Sequence, residues 1–403
     1  MNRKGKLILI SAVIFTAVLT FFVSTVITVR MGDKYIVSKN DFDYLIKLEQ
    51  RFGKTSYLMD VIEEKYYKDL DEAKLIEGAN KGIFDATGDR YTDYFDEEEF
   101  TEFNEYNDGK YGGIGIILDY SSEDIVIVSP IEDTPGERAG LQSGDVIKSV
   151  DGEVVNSAHA DKAVDLMRGE AETDVLLEIY RPSSDETKEY NITREMISVK
   201  SVKSVVMEDN LGYLRITNFD NKVYKEFKDN LNKMRNKGIK GLVIDLRNNP
   251  GGDLQQCVKI ADDLLGKQTI VYRERKDGKK IYEKSDEGKL DIPYVILVNG
   301  GSASASEILT GAVKDTDSGV IIGTKTFGKG IVQTVYPLED GTGFKLTTSE
   351  YFTPNGINIH GIGIEPNIVI ELSEDDYITE GSDEDYDVQL KKAIEVLNDK
   401  IAN

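Results

Sequence analysis

The chain has 403 residues, 40% of them hydrophobic, and a formal net charge of -24. That is enough for two or three domains with packed cores, and too acidic for grip on nucleic-acid phosphates. One cysteine, Cys257, excludes an internal disulfide framework and a cysteine metal cluster, and two distant histidines, His159 and His360, argue against a structural zinc site.

Arg3, Lys4 and Lys6 precede a charge-free run, Leu7–Val29, long enough to span a bilayer. Basic residues before the span predict an inner N-terminus and export of the remainder. Residues 1–30 are thus expected to be a cytoplasmic tip and a single-pass anchor in the cell membrane, with the rest extracytoplasmic. A cleaved signal peptide is the alternative; the long run and the lack of a clear A-x-A site weigh against it. Residues 31–105 read as helices with acidic faces: Phe42, Leu45, Ile46 and Phe52, then Leu58, Val61, Ile62 and Tyr66, recur at roughly helical spacing.

Residues 106–197 open on a glycine-rich turn, Tyr111-Gly112-Gly113-Ile114-Gly115, followed by an apolar strand, Ile125–Val128. Consecutive backbone N–H groups in such a turn suit a carboxylate, and a neighbouring sheet edge suits an added peptide strand. His159 lies near the start of a helix, Ala158–Met167, facing a groove or solvent. Arg168 follows it, a coupling residue or a solvated arginine.

Residues 198–375 alternate α and β. Strand Gly212–Ile216, helix Val223–Arg235 and strand Gly241–Leu246 lead into L-R-N-N-P-G-G-D-L (Leu246–Leu254) and a helix through Leu265. Strand, glycine turn and helix N-terminus make an anion-binding geometry. No G-K-[ST] follows Gly252, which excludes a phosphate loop. Asp253 reads as a helix-start charge, Asp245 and Arg247 as a structural pair, and Cys257 as core. Arg273–Leu290 reads as a charged surface hairpin. Strand Tyr294–Val298 is broken by Gly300-Gly301, and Ser304-Ala-Ser-Glu307 has the form of a helix start, where unpaired N–H groups favour developing negative charge.

A serine in that turn needs a base. Lys329 lies between Gly328 and Gly330; a strand over Lys329–Gln333 places Lys329, Ile331 and Gln333 on one face, so that Gln333 orients the lysine. Burial disfavours the charged amine, and a neutral lysine deprotonates serine in a variant of the triad arrangement. Each residue also has a plainer reading: Ser304 a cap with Glu307, Lys329 a solvated lysine, Gln333 a polar strand residue. Ser302 and Ser306 are rival nucleophiles, and Ser304–His360 is a rival pair. Phe344–Tyr351 alternates as a strand, Glu374–Asp387 is an acidic stretch, and Val388–Leu397 closes residues 376–403 as a helix.

The segments N-G-G-S-A-S-A-S-E and T-F-G-K-G-I-V-Q together resemble the C-terminal processing peptidases (tail-specific proteases), serine peptidases with a Ser-Lys dyad. The resemblance extends to Tyr66–Phe84 and to Thr353–Asn367, although D-R-Y-T-D-Y departs from the more usual D-P-Y-S-x-Y. Ser129–Gly152, with A-G-L-Q-S-G-D-V-I, resembles a PDZ domain. The resemblance implies an α/β multidomain chain: transmembrane helix, helical region, PDZ domain at 106–197, and a crotonase-like α/β protease core at 198–375. It implies Ser304 as nucleophile, Lys329 as base, Gln333 as its support, and an oxyanion hole from Gly251 or Gly252 with Ala305. Tyr111–Gly115 would bind the peptide carboxylate, and Arg168 would couple the groove to the core. Expected partners are proteins with exposed apolar C-termini, the membrane, and a second copy through 31–105; no metal or organic cofactor is expected. The alternative from another class is a non-catalytic, membrane-tethered PDZ scaffold on a silent protease fold.

Overall fold

The computed structural model describes residues 3–26, 29–31, 34–119, 123–131, 133–198, 200–373 and 387–402. The acidic stretch 374–386 lies outside them. The chain forms two compact units, Met1–Ile83 and Phe84–Asn403. In the first, Arg3–Val26 is a 24-residue helix, and Lys39–Lys65 is a helix capped by Ser38, whose Oγ accepts from Asp41 N. None of that second helix's residues is buried. Among the described residues no helix is long and apolar enough to cross a membrane; residues 27 and 28 of the charge-free run are not described.

Among the described residues the second unit holds two six-stranded sheets, a five-stranded sheet that carries Gln333, and one two-stranded pair. The first is antiparallel, in the order Glu186–Thr193, Asp174–Arg181, Val146–Val150, Ile125–Pro130, Ile116–Asp119. Alternation along Ile125–Val128 sends Ile125 and Ile127 inward, to pack with Ile147, Leu177 and Ile179 against Ala163 and Met167 of helix Ala160–Met167. Ile116–Asp119 is the outer strand. The glycine-rich stretch is only partly a turn: Lys110–Gly113 pairs antiparallel with Glu195–Ser198, leaving Ile114 and Gly115. Gly115 has φ +72°, and a Cβ there would meet Thr134 at 2.4 Å, so the turn requires glycine.

The main sheet runs Val202–Val206, Leu211–Ile216, Gly241–Asp245, Tyr294–Val298, Val320–Gly323, Ile368–Val369. Only its first pair is antiparallel. Helices Val223–Asn236, Leu254–Leu264 and Ala305–Asp315 cover one face. The C-terminal helix Val388–Ala402 covers the other, through Leu390, Ala393 and Leu397. Burial on both faces explains why Gly241–Asp245 and Tyr294–Val298 are buried throughout. The third sheet orders Lys280–Lys284, Thr269–Arg275, Gly343–Phe352 and Ile331–Pro337, with Asp93–Phe95 on Gly343–Lys345. The expected hairpin within Arg273–Leu290 is present: Thr269–Arg275 turns back into the largely exposed strand Lys280–Lys284, which forms one edge of this sheet.

Candidate active site

Ser304 sits between the buried strand Tyr294–Val298 and the helix Ala305–Asp315, with φ +52° and ψ −111°. A non-glycine residue there carries backbone strain, which surrounding bonds must hold. Ser304 and Glu307 form the expected capping box, Ser304 N donating to Glu307 Oε2 at 3.0 Å, and Glu307 N and Ile308 N donate to Ser304 O at 2.9 and 3.0 Å. Tyr351 Oη donates to the same carbonyl at 3.1 Å. The neighbouring serines are committed elsewhere: Ser302 Oγ donates to Leu246 O at 2.8 Å and Ser306 Oγ to Asn249 O at 3.0 Å, both fully buried. Of the three, only Ser304 is half-exposed, and its hydroxyl donates to no acceptor among the described residues.

Glu307 read as a capping residue in the sequence; its carboxylate does much more. Fully buried, it accepts from Ser304 N at 3.0 Å and Lys329 N at 2.8 Å on one oxygen, and from Thr326 Oγ1 at 2.6 Å and Gly328 N at 2.7 Å on the other. One side chain therefore joins the Ser304 turn to the Lys329 loop. Burial of the Lys329 amine, with repulsion from Lys345 and Arg90 outweighing the Asp89 and Glu307 charges, holds its pKa below the usual lysine range.

The side chains of the expected trio are not bonded to one another. Lys329 Nζ lies over the Tyr91 ring, 4.6 Å from its centroid. Gln333 Nε2 donates to Thr347 Oγ1 at 3.1 Å. The expected strand Lys329–Gln333 starts at Ile331, and its register against Gly343–Phe352 shifts between Val332 and Gln333. Lys329 and Gln333 therefore do not share a regular strand face. His360 is exposed, its N–H on Asn358 Oδ1, with no bond to Ser304. Tyr91 belongs to the D-R-Y-T-D-Y segment that departed from the family pattern, and nothing in its spacing marked it as a neighbour of Lys329.

The glycine turn Asn248–Gly252 packs against Ser304. A Cβ on Gly251, at φ +105°, would fall 2.8 Å from Ser304 Cβ and 2.9 Å from Ala305 N. Asn249, fully buried, holds the turn: its Nδ2 donates to Ile216 O and its Oδ1 accepts from Gly251 N at 2.9 Å. Of the three expected oxyanion donors, Gly251 N–H is thereby engaged. The Gly252 and Ala305 N–H groups have no acceptor among the described residues. Asp253 caps the following helix through Gln256 N at 2.8 Å, as its position suggested. Cys257 is core, its thiol on Ala305 O and pushed far up by burial.

In the antiparallel module, Ile116–Asp119 is the outer strand and the Ile114-Gly115 turn directly precedes it. The Arg168 guanidinium lies 5.2 Å from the Tyr111 ring centroid, which brings the expected coupling residue to an expected peptide-binding residue. His159 is exposed, with Nδ1 3.0 Å from Asn156 Oδ1. Among the described residues no group of three or more His, Cys, Asp and Glu could hold a metal ion.

A strained serine at a helix start, glycines packed on it and a desolvated lysine are the features of a serine hydrolase on an α/β core. The sequence pattern of Peptidase family S41 matches residues 210–370, that of the PDZ domain 126–181, and that of the "activating protease CtpB N-terminal domain" 14–99. A carboxy-terminal-processing protease of Bartonella bacilliformis is 38% identical over 342 residues, 83% of this chain and 78% of that protein. The carboxy-terminal processing protease CtpA of Bacillus subtilis is 35% identical over 379 residues, 93% and 79%. Among solved structures, a photosystem II D1 C-terminal processing protease superposes with a TM-score of 0.50 at 28% identity, over 83% of this chain and 94% of that one. The chain belongs to peptidase family S41: it is a serine-type, carboxy-terminal processing peptidase with a PDZ domain.

Proposed function

We propose that Ser304 and Lys329 form the catalytic dyad of a membrane-anchored, extracytoplasmic endopeptidase that takes proteins by their apolar C-terminal tails. The observation that carries this reading is the Glu307 carboxylate, bonded to the backbone of both residues. Neutral Lys329 swings from the Tyr91 ring to Ser304 Oγ, takes its proton as Oγ attacks the peptide carbonyl, and passes it to the departing amine. Lys329 then takes a proton from water as its oxygen attacks the acyl-enzyme ester, and returns that proton to Ser304 Oγ as the ester bond breaks and the acid product leaves. Gly252 and Ala305 N–H groups receive the oxyanion, and Gln333 turns from Thr347 to steady the amine. The tail adds as a strand along Ile116–Asp119, its carboxylate at the Ile114-Gly115 turn, and Arg168 on Tyr111 relays occupancy to the core. Anchoring rests on the charge-free run Leu7–Val29 behind Arg3, Lys4 and Lys6. The exposed apolar residues Phe42, Leu45, Ile46, Leu58 and Ile62 support pairing with a second copy through the helical region.

The test is cleavage of an unfolded reporter protein by the detergent-solubilised full chain, beside Ser304→Ala and Lys329→Ala. Cleavage by the wild type alone is expected. Retained cleavage in Ser304→Ala removes the assigned nucleophile, and retained cleavage in Lys329→Ala removes the base. Carbonate-resistant membrane association is expected of the full chain and not of a chain lacking residues 1–30; release of both by carbonate refutes the anchor.

A further inference from the structure

Arg247 lies two residues beyond the central strand Gly241–Asp245 and directly before the turn Asn248–Gly252. Its side chain is fully buried. Every N–H of the guanidinium is taken. Nε donates to Asp245 at 3.0 Å and Nη2 to Asp245 Oδ2 at 2.7 Å. The other three donors reach the C-terminal segment: Nη2 to Asp387 Oδ2 and Nη1 to Asp387 Oδ1, both at 2.8 Å, and Nη1 to Gln389 Oε1 at 3.1 Å. Asp387 Oδ1 also accepts from Leu390 N at 3.0 Å, which starts the C-terminal helix, and Gln389 Nε2 donates to Ile370 O at 2.7 Å. Asp387 and Gln389 lie beyond the stretch matched by the peptidase pattern, which ends at residue 370.

Asp245, held on the central strand where Tyr213 Oη donates to its Oδ2 at 2.6 Å, fixes one edge of the guanidinium. Asp387 fixes the other edge to a second element, because it caps the helix packed on the far face of the sheet. On its other side the same backbone is sewn to the Ser304 turn. Leu246 O accepts from Ser302 Oγ, Asn248 N donates to Asn299 Oδ1 at 2.9 Å, and Asn249 O accepts from Ala303 N and Ser306 Oγ, both at 3.0 Å. A shift of Arg247 is therefore a shift of the glycine turn relative to Ser304.

We propose that Asp387 is a positioning residue of this peptidase: through Arg247 it sets the Asn248–Gly252 turn against Ser304, making the C-terminal helix part of the catalytic unit. The proposal rests on the Ser304–Lys329 reading for its effect on rate, but not for its effect on the turn.

The experiment compares the solubilised full chain with Asp387→Ala, Asp387→Glu and Gln389→Ala. Two readouts are taken: kcat and KM on an internally quenched peptide with small apolar C-terminal residues, and hydrogen–deuterium exchange of residues 246–254. Asp387→Ala is expected to lower kcat by about tenfold or more with KM within about twofold, and to speed exchange in 246–254 while strand 294–298 stays protected. Asp387→Glu, which keeps the charge, regains part of both. If Asp387→Ala does not fold, Gln389→Ala decides: it leaves the ion pair intact and should show the same signature, with kcat down about threefold. Unchanged exchange in 246–254, or an unchanged kcat per folded molecule, overturns the proposal. A wild type no more active than Ser304→Ala instead sinks the dyad, and the exchange data still decide whether Asp387 holds the turn.

Discussion

Replacing Glu307 by glutamine tests whether one carboxylate aligns nucleophile and base. The side chain keeps its size, but one oxygen becomes an NH2. Placed toward Ser304 N and Lys329 N, that group would face two backbone donors and break both bonds of the bridge. Placed toward Thr326 and Gly328, it donates to Thr326 Oγ1, which also accepts from Ile364 N, so the Gly328 N bond and the acceptor of the Thr326 hydroxyl are lost while both bonds of the bridge remain. The second orientation costs less and is the one expected. Two charge-assisted bonds disappear, a buried N–H and a buried hydroxyl are left without their acceptor, and the remaining bridge weakens to amide strength; about 2–3 kcal/mol of stability is lost. A neutral acceptor still joins the two loops, so kcat should fall by about ten- to a hundredfold rather than vanish. Glu307→Ala removes every acceptor and leaves three buried N–H groups unpaired, at a cost of about 4 kcal/mol or more. Urea unfolding and steady-state cleavage measure both effects on the same samples. Wild-type kcat in Glu307→Gln, with the stability loss present, would reduce Glu307 to a structural group and refute the alignment argument.

Three further outcomes are expected. Activity should fall as pH drops through the lowered pKa of Lys329, because only the neutral amine accepts a proton; Tyr91→Leu, which keeps the burial and removes the ring face, should move the midpoint of the kcat profile about half a unit toward acid, and an unmoved midpoint separates Tyr91 from Lys329 titration. Ser304→Gly should be more stable to urea than Ser304→Ala by about 1 kcal/mol, since glycine relieves the positive φ; equal stabilities would mean that the turn relaxes when Oγ is gone. Tyr351→Phe deletes the side-chain donor that Ser304 O has among the described residues and should cost about 1 kcal/mol, with kcat down about fivefold at unchanged KM; a raised KM instead would place Tyr351 in substrate binding.

The sequence disclosed what depends on neighbours in the chain. Apolar runs announced strands Gly241–Leu246, interrupted only by Asp245, and Tyr294–Val298, because a strand buried on both faces needs no polar alternation; the apolar run Ile125–Val128 announced a strand but not that only Ile125 and Ile127 face the core. It misread what depends on distant partners. Lys110–Gly113 looks like a loop because glycine weakens strands, yet Glu195–Ser198 supplies its ladder from far along the chain. Lys329–Gln333 looks like a regular strand, but the register shift at Val332/Gln333 belongs to its pairing with Gly343–Phe352. Glu307 shows the limit most clearly. Its spacing from Ser304 satisfied a capping rule by itself, so nothing in the spacing asked for further partners, and three of its four donors arrive 19 to 22 residues later in the chain. A local motif thus supplied a sufficient explanation that was incomplete. What the sequence did contain was an acidic residue bound for a fully buried position beside a lysine loop, and a buried carboxylate must collect more than one donor to remain there. The same argument applies to Arg247: a guanidinium beside a single aspartate, in a run otherwise fit for a core, requires a second acceptor from elsewhere, and Asp387 provides it.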